Sequence, residues 1–115
     1  MLGWRVFQKK IARSLLLTPI LLVALTSAAS AAAPQPPTDL RVKSVATIPM
    51  MITIAWKAST SSNIAQYLIF RDDVQIASVS GKTLSYNDKD LIRATKYIYS
   101  IKAKNTSGQL SAAAY

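Results

Sequence analysis

Period-two alternation of apolar and polar residues is the feature that most constrains the fold of this chain. It occurs in DLRVKSV at 39–45, MMITIAWK at 50–57 and KYIYSIKAK at 96–104. Side chains of a β-strand point alternately to opposite faces, so each segment would have one apolar and one mixed face. In the first segment, Leu40 and Val42 share the apolar face. The pattern predicts half-buried strands in an all-β domain.

Turn-forming residues separate the apolar segments, at 60–63, 80–82 and 105–108 and at the pair Asp72-Asp73. Short strands that recur about every ten residues predict an antiparallel sandwich or small barrel. The aspartate pair lies between two strand-like runs, where a type I′ turn requires positive φ at both central positions. Aspartate tolerates that conformation better than most residues. The alternative, a catalytic pair, would need a cleft and a perturbed pKa, so we predict a turn.

The first 31 residues have the organisation of a secretory signal peptide. Four basic residues precede the apolar run SLLLTPILLVAL. Small residues follow, and Ala29-Ser30-Ala31 suits cleavage after Ala31. This predicts export to the periplasm or the extracellular space. The alternative is an uncleaved membrane anchor, because residues 15–33 carry no charge over about the length that spans a bilayer.

The chain contains no cysteine and no histidine. This excludes disulfides, thiolate or imidazole metal sites, and nucleophiles that depend on these residues. The net charge of +9 falls to +5 without the signal peptide, which holds four of the 14 basic residues and none of the five acidic ones. The remaining charge favours acidic partners in general, but no dense basic run indicates nucleic acid. We predict no cofactor, no metal and no catalytic residue.

Several motifs follow a Pro-rich lead-in at 32–37: PPTDLRV, ITIAW, IAQYLIFRDD, TLSYNDKDL and YIYSIKAKNTSG. Together with their spacing, they make residues 38–115 resemble a fibronectin type III domain of bacterial secreted proteins. The resemblance implies an immunoglobulin-like antiparallel β-sandwich of seven strands. The residues that carry it most specifically are Trp56, Tyr67, Leu91, Tyr97, Ala103 and Gly108.

The resemblance implies structural roles for several of these residues. Trp56 would fill the space between the two sheets. Tyr97 would form a tyrosine corner, in which its hydroxyl bonds back to nearby backbone, and Gly108 would supply positive φ in the last hairpin.

Three features depart from the family pattern. Arg93 and Ala94 lie in a loop where the family often has proline and glycine, and Asp73 occupies a turn position where it often has glycine. The last strand, up to Tyr115, is short or truncated.

The outward faces of the third and sixth predicted strands form the candidate partner-binding face. If Tyr67, Tyr97 and Tyr99 point inward, the alternating residues point outward. An exposed apolar stripe flanked by lysines can mark an interface, and the alternative is an ordinary solvent-facing strand surface. The face consists of Leu68, Phe70, Lys96, Ile98, Lys102 and Lys104.

Two polar motifs are interpreted without a binding function, one as a turn and the other as a chance match. Asp88 and Asp90 are predicted to shape a turn, since two carboxylates are too few for a calcium site. Asn105-Thr106-Ser107 matches the N-x-S sequon in a hairpin predicted to be exposed, and chance is the favoured explanation.

The resemblance and the lack of catalytic groups imply a non-catalytic exported module for binding, interaction or spacing. Its partner would be an unknown protein or polysaccharide, not nucleic acid, with membrane contact only if the signal peptide stays uncleaved. The alternative is a carbohydrate-associated accessory module, or a fragment of a secreted polysaccharide-degrading enzyme. A glycoside hydrolase built on the aspartates is disfavoured, because it needs two carboxylates flanking a deep sugar site.

Overall fold

Six β-strands follow one another along the chain: β1 (Thr38–Thr47), β2 (Met50–Lys57), β3 (Ile64–Arg71), β4 (Val74–Ser80), β5 (Ser85–Asp88) and β6 (Tyr99–Asn105). The computed structural model describes residues 32–115. The predicted signal peptide, its cleavage site and the alternative anchor fall in residues 1–31, outside the described residues. Within 32–115, no helix has the length and apolar character needed to cross a membrane.

The strands form two antiparallel sheets of three strands, in the orders β1-β2-β5 and β4-β3-β6. The predicted all-β architecture is therefore confirmed. Seven strands were predicted, but the described part of the chain contains six. The segment after β6 joins it through two isolated bridges, Lys104 to Leu110 and Ile101 to Ala114. Two bridges give this segment fewer ladder bonds than a full edge strand would have.

The core lies between the two sheets and takes its side chains from β2, β3 and β6. The rings of Trp56 and Tyr67 pack edge to face, with centroids 5.7 Å apart and planes at 68°. This geometry suits the quadrupoles of two aromatic rings. The alternation predicted in 50–57 and 96–104 thus selects the correct inward residues. The buried cluster consists of Ile54, Trp56, Tyr67, Ile69, Ile101 and Ala103.

The predicted apolar face of β1 is only partly correct. Leu40 packs against the core, whereas Val42 is 56% exposed. The pairing of β1 with β2 shifts register between Thr38 and Arg41 and again between Val42 and Ser44. Because an extra residue in one strand bends it and redirects the side chains beside it, simple alternation fails here.

The Asp72-Asp73 pair forms the predicted tight turn between β3 and β4. Both residues have positive φ, 49° and 65°. The Asp72 carboxylate oxygen Oδ1 accepts a bond from the Ile98 N–H at 2.9 Å, and the Asp72 N–H donates to the Ile98 carbonyl at 2.8 Å. The turn therefore also anchors the chain that leads into β6, through both the side chain and the backbone of Asp72.

The loop between β5 and β6 contains the tyrosine corner that the resemblance implied. The Tyr97 hydroxyl accepts a hydrogen bond from the Ile92 N–H at 2.9 Å, and Leu91, in the same loop, is buried. Ala94, in the same loop, has a φ of 54°. An L-residue with a Cβ is strained in this left-handed region, which explains why glycine is suited to the position.

We expect Ala94→Gly to stabilise the protein by about 0.5–1 kcal/mol. Removing the Cβ relieves the strain at positive φ, and the gain exceeds the entropy that glycine adds to the unfolded chain. Urea denaturation followed by far-UV circular dichroism measures the change. Ala65→Gly is the control, because Ala65 is exposed in β3 and does not have positive φ, so its replacement should be destabilising. A loss of stability in both variants would contradict the strain argument.

The hairpin after β6 turns at Gly108, whose φ of 83° confirms the predicted conformation. Asn105, however, is buried rather than exposed. Its side-chain oxygen accepts the Gln109 N–H at 2.8 Å, and its amide nitrogen donates to the Gln109 side chain at 3.1 Å. The expectation of an exposed sequon is wrong, because the asparagine closes the hairpin and its amide is already bonded.

Candidate functional site

The outward face of β3 and β6 brings most of the predicted partner-binding residues together. Lys102 lies directly across from Leu68. The Lys102 ammonium is 5.3 Å from the centroid of the Phe70 ring, a cation–π distance. Lys104 pairs with Gln66 one step further along the ladder. Lys96 and Ile98 lie in the loop just before β6, so the prediction placed them within a strand that begins later.

Leu68 was predicted to be exposed, and this is wrong. It is buried, and Phe70 is half-buried. The reason is the position of β3 between β4 and β6, which puts neighbouring side chains on both sides of Leu68. Ile98, at 52% exposure, is the one large apolar residue of the predicted set with an open side chain. The face is therefore more basic than apolar, and its role in binding stays a prediction.

A cluster of Arg71, Asp88 and Tyr99 connects the two sheets at one end of the sandwich. Asp88 ends β5 in one sheet, whereas Arg71 ends β3 and Tyr99 begins β6 in the other. Arg71 Nη1 donates to both Asp88 oxygens at 2.9 and 2.8 Å, and the Tyr99 hydroxyl donates to Asp88 Oδ2 at 2.6 Å. The Arg71 guanidinium also lies 5.5 Å from the centroid of the Tyr97 ring.

The prediction that Asp88 shapes a turn is wrong. Asp88 is 4% exposed, and its carboxylate accepts two hydrogen bonds from Arg71 and one from Tyr99. The sequence did contain an indication that Asp88 points inward. Asp88 and Tyr86 are two residues apart in the strand SYND, so their side chains lie on the same face, and Tyr86 packs against the core. Asp90 is exposed with a φ of 56°, as a turn residue would be.

Burial and charge alter the titration of this cluster. Burial raises the pKa of Tyr99, and the hydrogen bond that its hydroxyl gives to Asp88 raises it further, because both disfavour the phenolate. The hydrogen bond with Asp88 also raises the pKa of Arg71. Arg71 and the Tyr99 hydroxyl thus hold the Asp88 carboxylate between the two sheets.

We expect Tyr99→Phe to remove part of the alkaline destabilisation of the protein. The folded-state pKa of Tyr99 is raised above the ordinary value of about 10, so its contribution to stability is complete below that pH. It is lost as pH rises through the folded-state pKa. Melting temperatures measured from pH 8 upward should fall less steeply above pH 10 in Tyr99→Phe. Tyr115→Phe, at an exposed position, should keep the wild-type slope, and equal slopes in all three proteins would contradict this assignment.

Concave regions on the surface of residues 32–115 include a larger and a smaller one beside β1 and β2. The larger, of about 470 Å³, is lined by Arg41, Lys43 and Lys57 together with Ala55 and Ser85. Asp39 partly neutralises the positive charge of this region, because its Oδ2 lies 3.0 Å from Arg41 Nη1 and 3.7 Å from Lys57 Nζ.

The smaller concave region, here called the edge groove, has a volume of about 190 Å³ and lies beside the start of β6. Its walls come from β1, β2, the start of β6 and the last residue, namely Leu40, Arg41, Val42, Ile54, Tyr97, Tyr99 and Tyr115. Sequence reasoning missed this groove, because it forms between residues that are far apart in the chain. Among residues 32–115, no group of three or more acidic, histidine or cysteine side chains could hold a metal ion.

Segments of two chitinases resemble this chain in sequence. Chitinase C of Streptomyces lividans is 36% identical over 59 residues, which cover 50% of this chain and 9% of the chitinase. Chitinase 63 of Streptomyces plicatus matches with the same identity and coverage. The chain thus spans about a tenth of the length of these relatives. No family model matches it.

Two solved structures share the fold. The Clostridium perfringens spore cortex lytic enzyme SleM superposes with a TM-score of 0.61 at 19% identity, covering 70% of this chain and 26% of SleM. The Yersinia enterocolitica family 28 exopolygalacturonase gives a TM-score of 0.61 at 20% identity, covering 70% of this chain and 19% of that enzyme. At these identities the likeness concerns the fold alone.

Proposed function

We propose that this chain is a non-catalytic accessory module of fibronectin type III type that acts beside a secreted polysaccharide-degrading enzyme. The observation that carries the proposal is the 36% identity with a segment of two chitinases. It favours the carbohydrate-associated alternative over a stand-alone interaction or spacer module. In this proposal, residues 1–31 direct export, 32–37 form a lead-in, and 38–115 form the module.

The state of the carboxylates supports a non-catalytic role. Asp88 is bonded to Arg71 and Tyr99, and the Asp72 carboxylate holds the Ile98 N–H. Hydrolysis of a glycosidic bond by an acid pair requires both carboxyl groups to be available on opposite sides of the scissile bond. Neither aspartate is free in this way, so the module would act by positioning an enzyme or by contacting its substrate surface.

Contact with polysaccharide would use exposed aromatic rings. Sugar rings pack their apolar faces against aromatic side chains, as apolar ligand surfaces generally do. Tyr115 is exposed, whereas the Phe70 ring has Lys102 over one side. The proposal therefore assigns the larger share of any stacking to Tyr115.

Sedimentation of the full chain with insoluble chitin, and with cellulose as the comparison matrix, tests the proposal. We expect more protein in the chitin pellet than in the cellulose pellet. Tyr115→Ala should reduce this retention more than Phe70→Ala does. Retention on neither matrix would rule out polysaccharide contact, and equal retention of wild type and both variants would reject the aromatic residues as its cause.

A further inference from the structure

The larger concave region, here called the basic groove, lies on the outward face of the β1-β2-β5 sheet. Ile54 and Trp56 of β2 belong to the core, so Ala55 between them points outward. Ala55 is paired with Arg41 of β1 on one side and with Ser85 of β5 on the other, and directly paired residues share a face. The small side chain of Ala55 therefore leaves a depression between Arg41 and Ser85.

Two irregularities in the edge strand β1 shape the basic side of this groove. Lys43, which lines the groove, has no partner in the pairing of β1 with β2, so it is the extra residue of a bulge. The other irregularity contains Asp39, whose φ of 55° is in the left-handed region. Arg41 Nη1 donates to both the carboxylate and the carbonyl of Asp39, at 3.0 and 3.1 Å. Because bulges redirect side chains and are frequent beside functional sites, this backbone positions Lys43 and Arg41.

The basic groove carries more positive than negative charge. Arg41, Lys43 and Lys57 line it, and Asp39 neutralises only part of their charge. Lys43 forms no ion pair within residues 32–115. In the same residues the bonds of the Arg41 side chain all come from Nη1, which leaves Nη2 and Nε without a partner. The groove therefore favours an anionic ligand.

The backbone beneath the basic groove is already paired. β2 lies between β1 and β5, so its N–H and C=O groups bond to both neighbours, and a peptide lying in the groove gains no main-chain bonds from this strand. Recognition there depends on side chains, namely three cations and the exposed hydroxyl of Ser85. A polysaccharide that contains uronate residues presents carboxylates and hydroxyls together on each sugar ring, which matches this set.

We propose that the basic groove binds a carboxylated polysaccharide, with its uronate groups beside Arg41, Lys43 and Lys57 and a sugar hydroxyl bonded to Ser85. Nη2 and Nε of Arg41 can hold both oxygens of one carboxylate, whereas the lysines act as point charges. The choice of a sugar polymer rests on the proposed function. The site is nevertheless separate from the chitin contact assigned to Tyr115, which lines the edge groove.

Fluorescence anisotropy of a short fluorescein-labelled oligogalacturonate, titrated with the full chain, tests the proposal. We expect saturable binding that weakens as salt is raised, because the charges are exposed. The same oligosaccharide with methyl-esterified carboxylates should not bind. Lys43→Glu combined with Lys57→Glu should weaken binding at least about tenfold, since like charges then face the ligand.

Lys89→Glu combined with Lys96→Glu is the matched control for the lysine pair of the groove. It makes the same change in net charge at two exposed lysines that do not line the basic groove, so most of the affinity should remain. Equal weakening by the two double variants would overturn the proposal, because binding would then follow net charge alone. Absence of binding to the oligogalacturonate, or equal binding of its methyl ester, would overturn it as well.

Asp39→Asn tests the site by a gain of affinity, which a folding defect does not produce. The change removes the negative charge beside Arg41 and Lys57. Asparagine adopts positive φ readily, and its side-chain oxygen can still accept the bond from Arg41. Binding of the oligogalacturonate should tighten about threefold, as the loss of one exposed opposing charge allows. Unchanged or weaker binding in Asp39→Asn would contradict the assignment.

A labelled oligoglutamate of the same length distinguishes a sugar polymer from an acidic peptide. It should bind more weakly than the oligogalacturonate, and equal affinity that is lost in the same variants would overturn the choice of polysaccharide. Sedimentation with chitin separates this proposal from the proposed function. Lys43→Glu combined with Lys57→Glu should keep the chitin retention, and Tyr115→Ala should keep the affinity for oligogalacturonate. Loss of both properties in either variant would contradict two separate sites.

Discussion

Asp88→Asn is expected to destabilise the protein by about 3 kcal/mol. The substitution keeps the size of the side chain but removes the buried carboxylate that pairs with Arg71, whose half-buried guanidinium (side chain 30% exposed) is left without its counter-charge. It also replaces an oxygen that accepts bonds with an amide nitrogen facing a cation. Because the cluster connects the end of β5 to β3 and β6, both sheets lose an attachment. Urea denaturation followed by far-UV circular dichroism measures the loss.

Asp90→Asn is the matched control for Asp88→Asn. Asp90 is exposed, and asparagine accepts its positive φ, so the free energy of unfolding should change by less than about 0.5 kcal/mol. Arg71→Met combined with Asp88→Asn should cost less than the sum of the two single changes, since both partners of the pair are then removed together. Equal stability of Asp88→Asn and Asp90→Asn would show that the ion pair does not hold the sheets together.

Trp56→Ala is expected to cost about 3–5 kcal/mol, which is a large share of the stability of a domain of this size. Trp56 is buried, and its ring packs against Tyr67 in the centre of the sandwich. The indole Nε1–H is buried and has no hydrogen-bond partner within residues 32–115. Trp56→Phe removes that unsatisfied donor, so it should cost clearly less than the loss of ring area alone suggests.

Circular dichroism during urea and thermal unfolding measures both variants. Fluorescence is a poorer probe here, because the chain has a second tryptophan, Trp4, and Trp56 itself is changed. Tyr115→Ala serves as the control, since it removes an exposed aromatic ring and should shift the midpoint little. A Trp56→Ala protein with the wild-type midpoint would mean that the interior does not depend on this ring.

Much of the fold was predictable from local patterns. Alternation in 50–57 identified Ile54 and Trp56 as core residues, and Asp72-Asp73 was identified as a turn from the conformations that aspartate tolerates. The tyrosine corner followed from the resemblance, and the bond from the Ile92 N–H to Tyr97 confirms it. These features depend on one strand or one turn, so a short stretch of sequence contains the information.

The candidate sites were much less predictable, because they depend on which strands become neighbours. Leu68 alternates with the inward-pointing residues of β3, which predicted exposure, but it is buried between β4 and β6. Asp88 is paired with Arg71, which is 17 residues away in the chain. The edge groove likewise combines β1, β2 and the approach to β6.

By itself, the sequence determined the strand periodicity, the Asp72-Asp73 turn and the core positions Ile54 and Trp56, because these follow from alternation and backbone preference over a few residues. Only the tertiary structure decided how Asp88 joins the sheets, which face is basic and where the edge groove lies. Those features arise from strand order and register, and both are set by packing between segments that are distant in the chain.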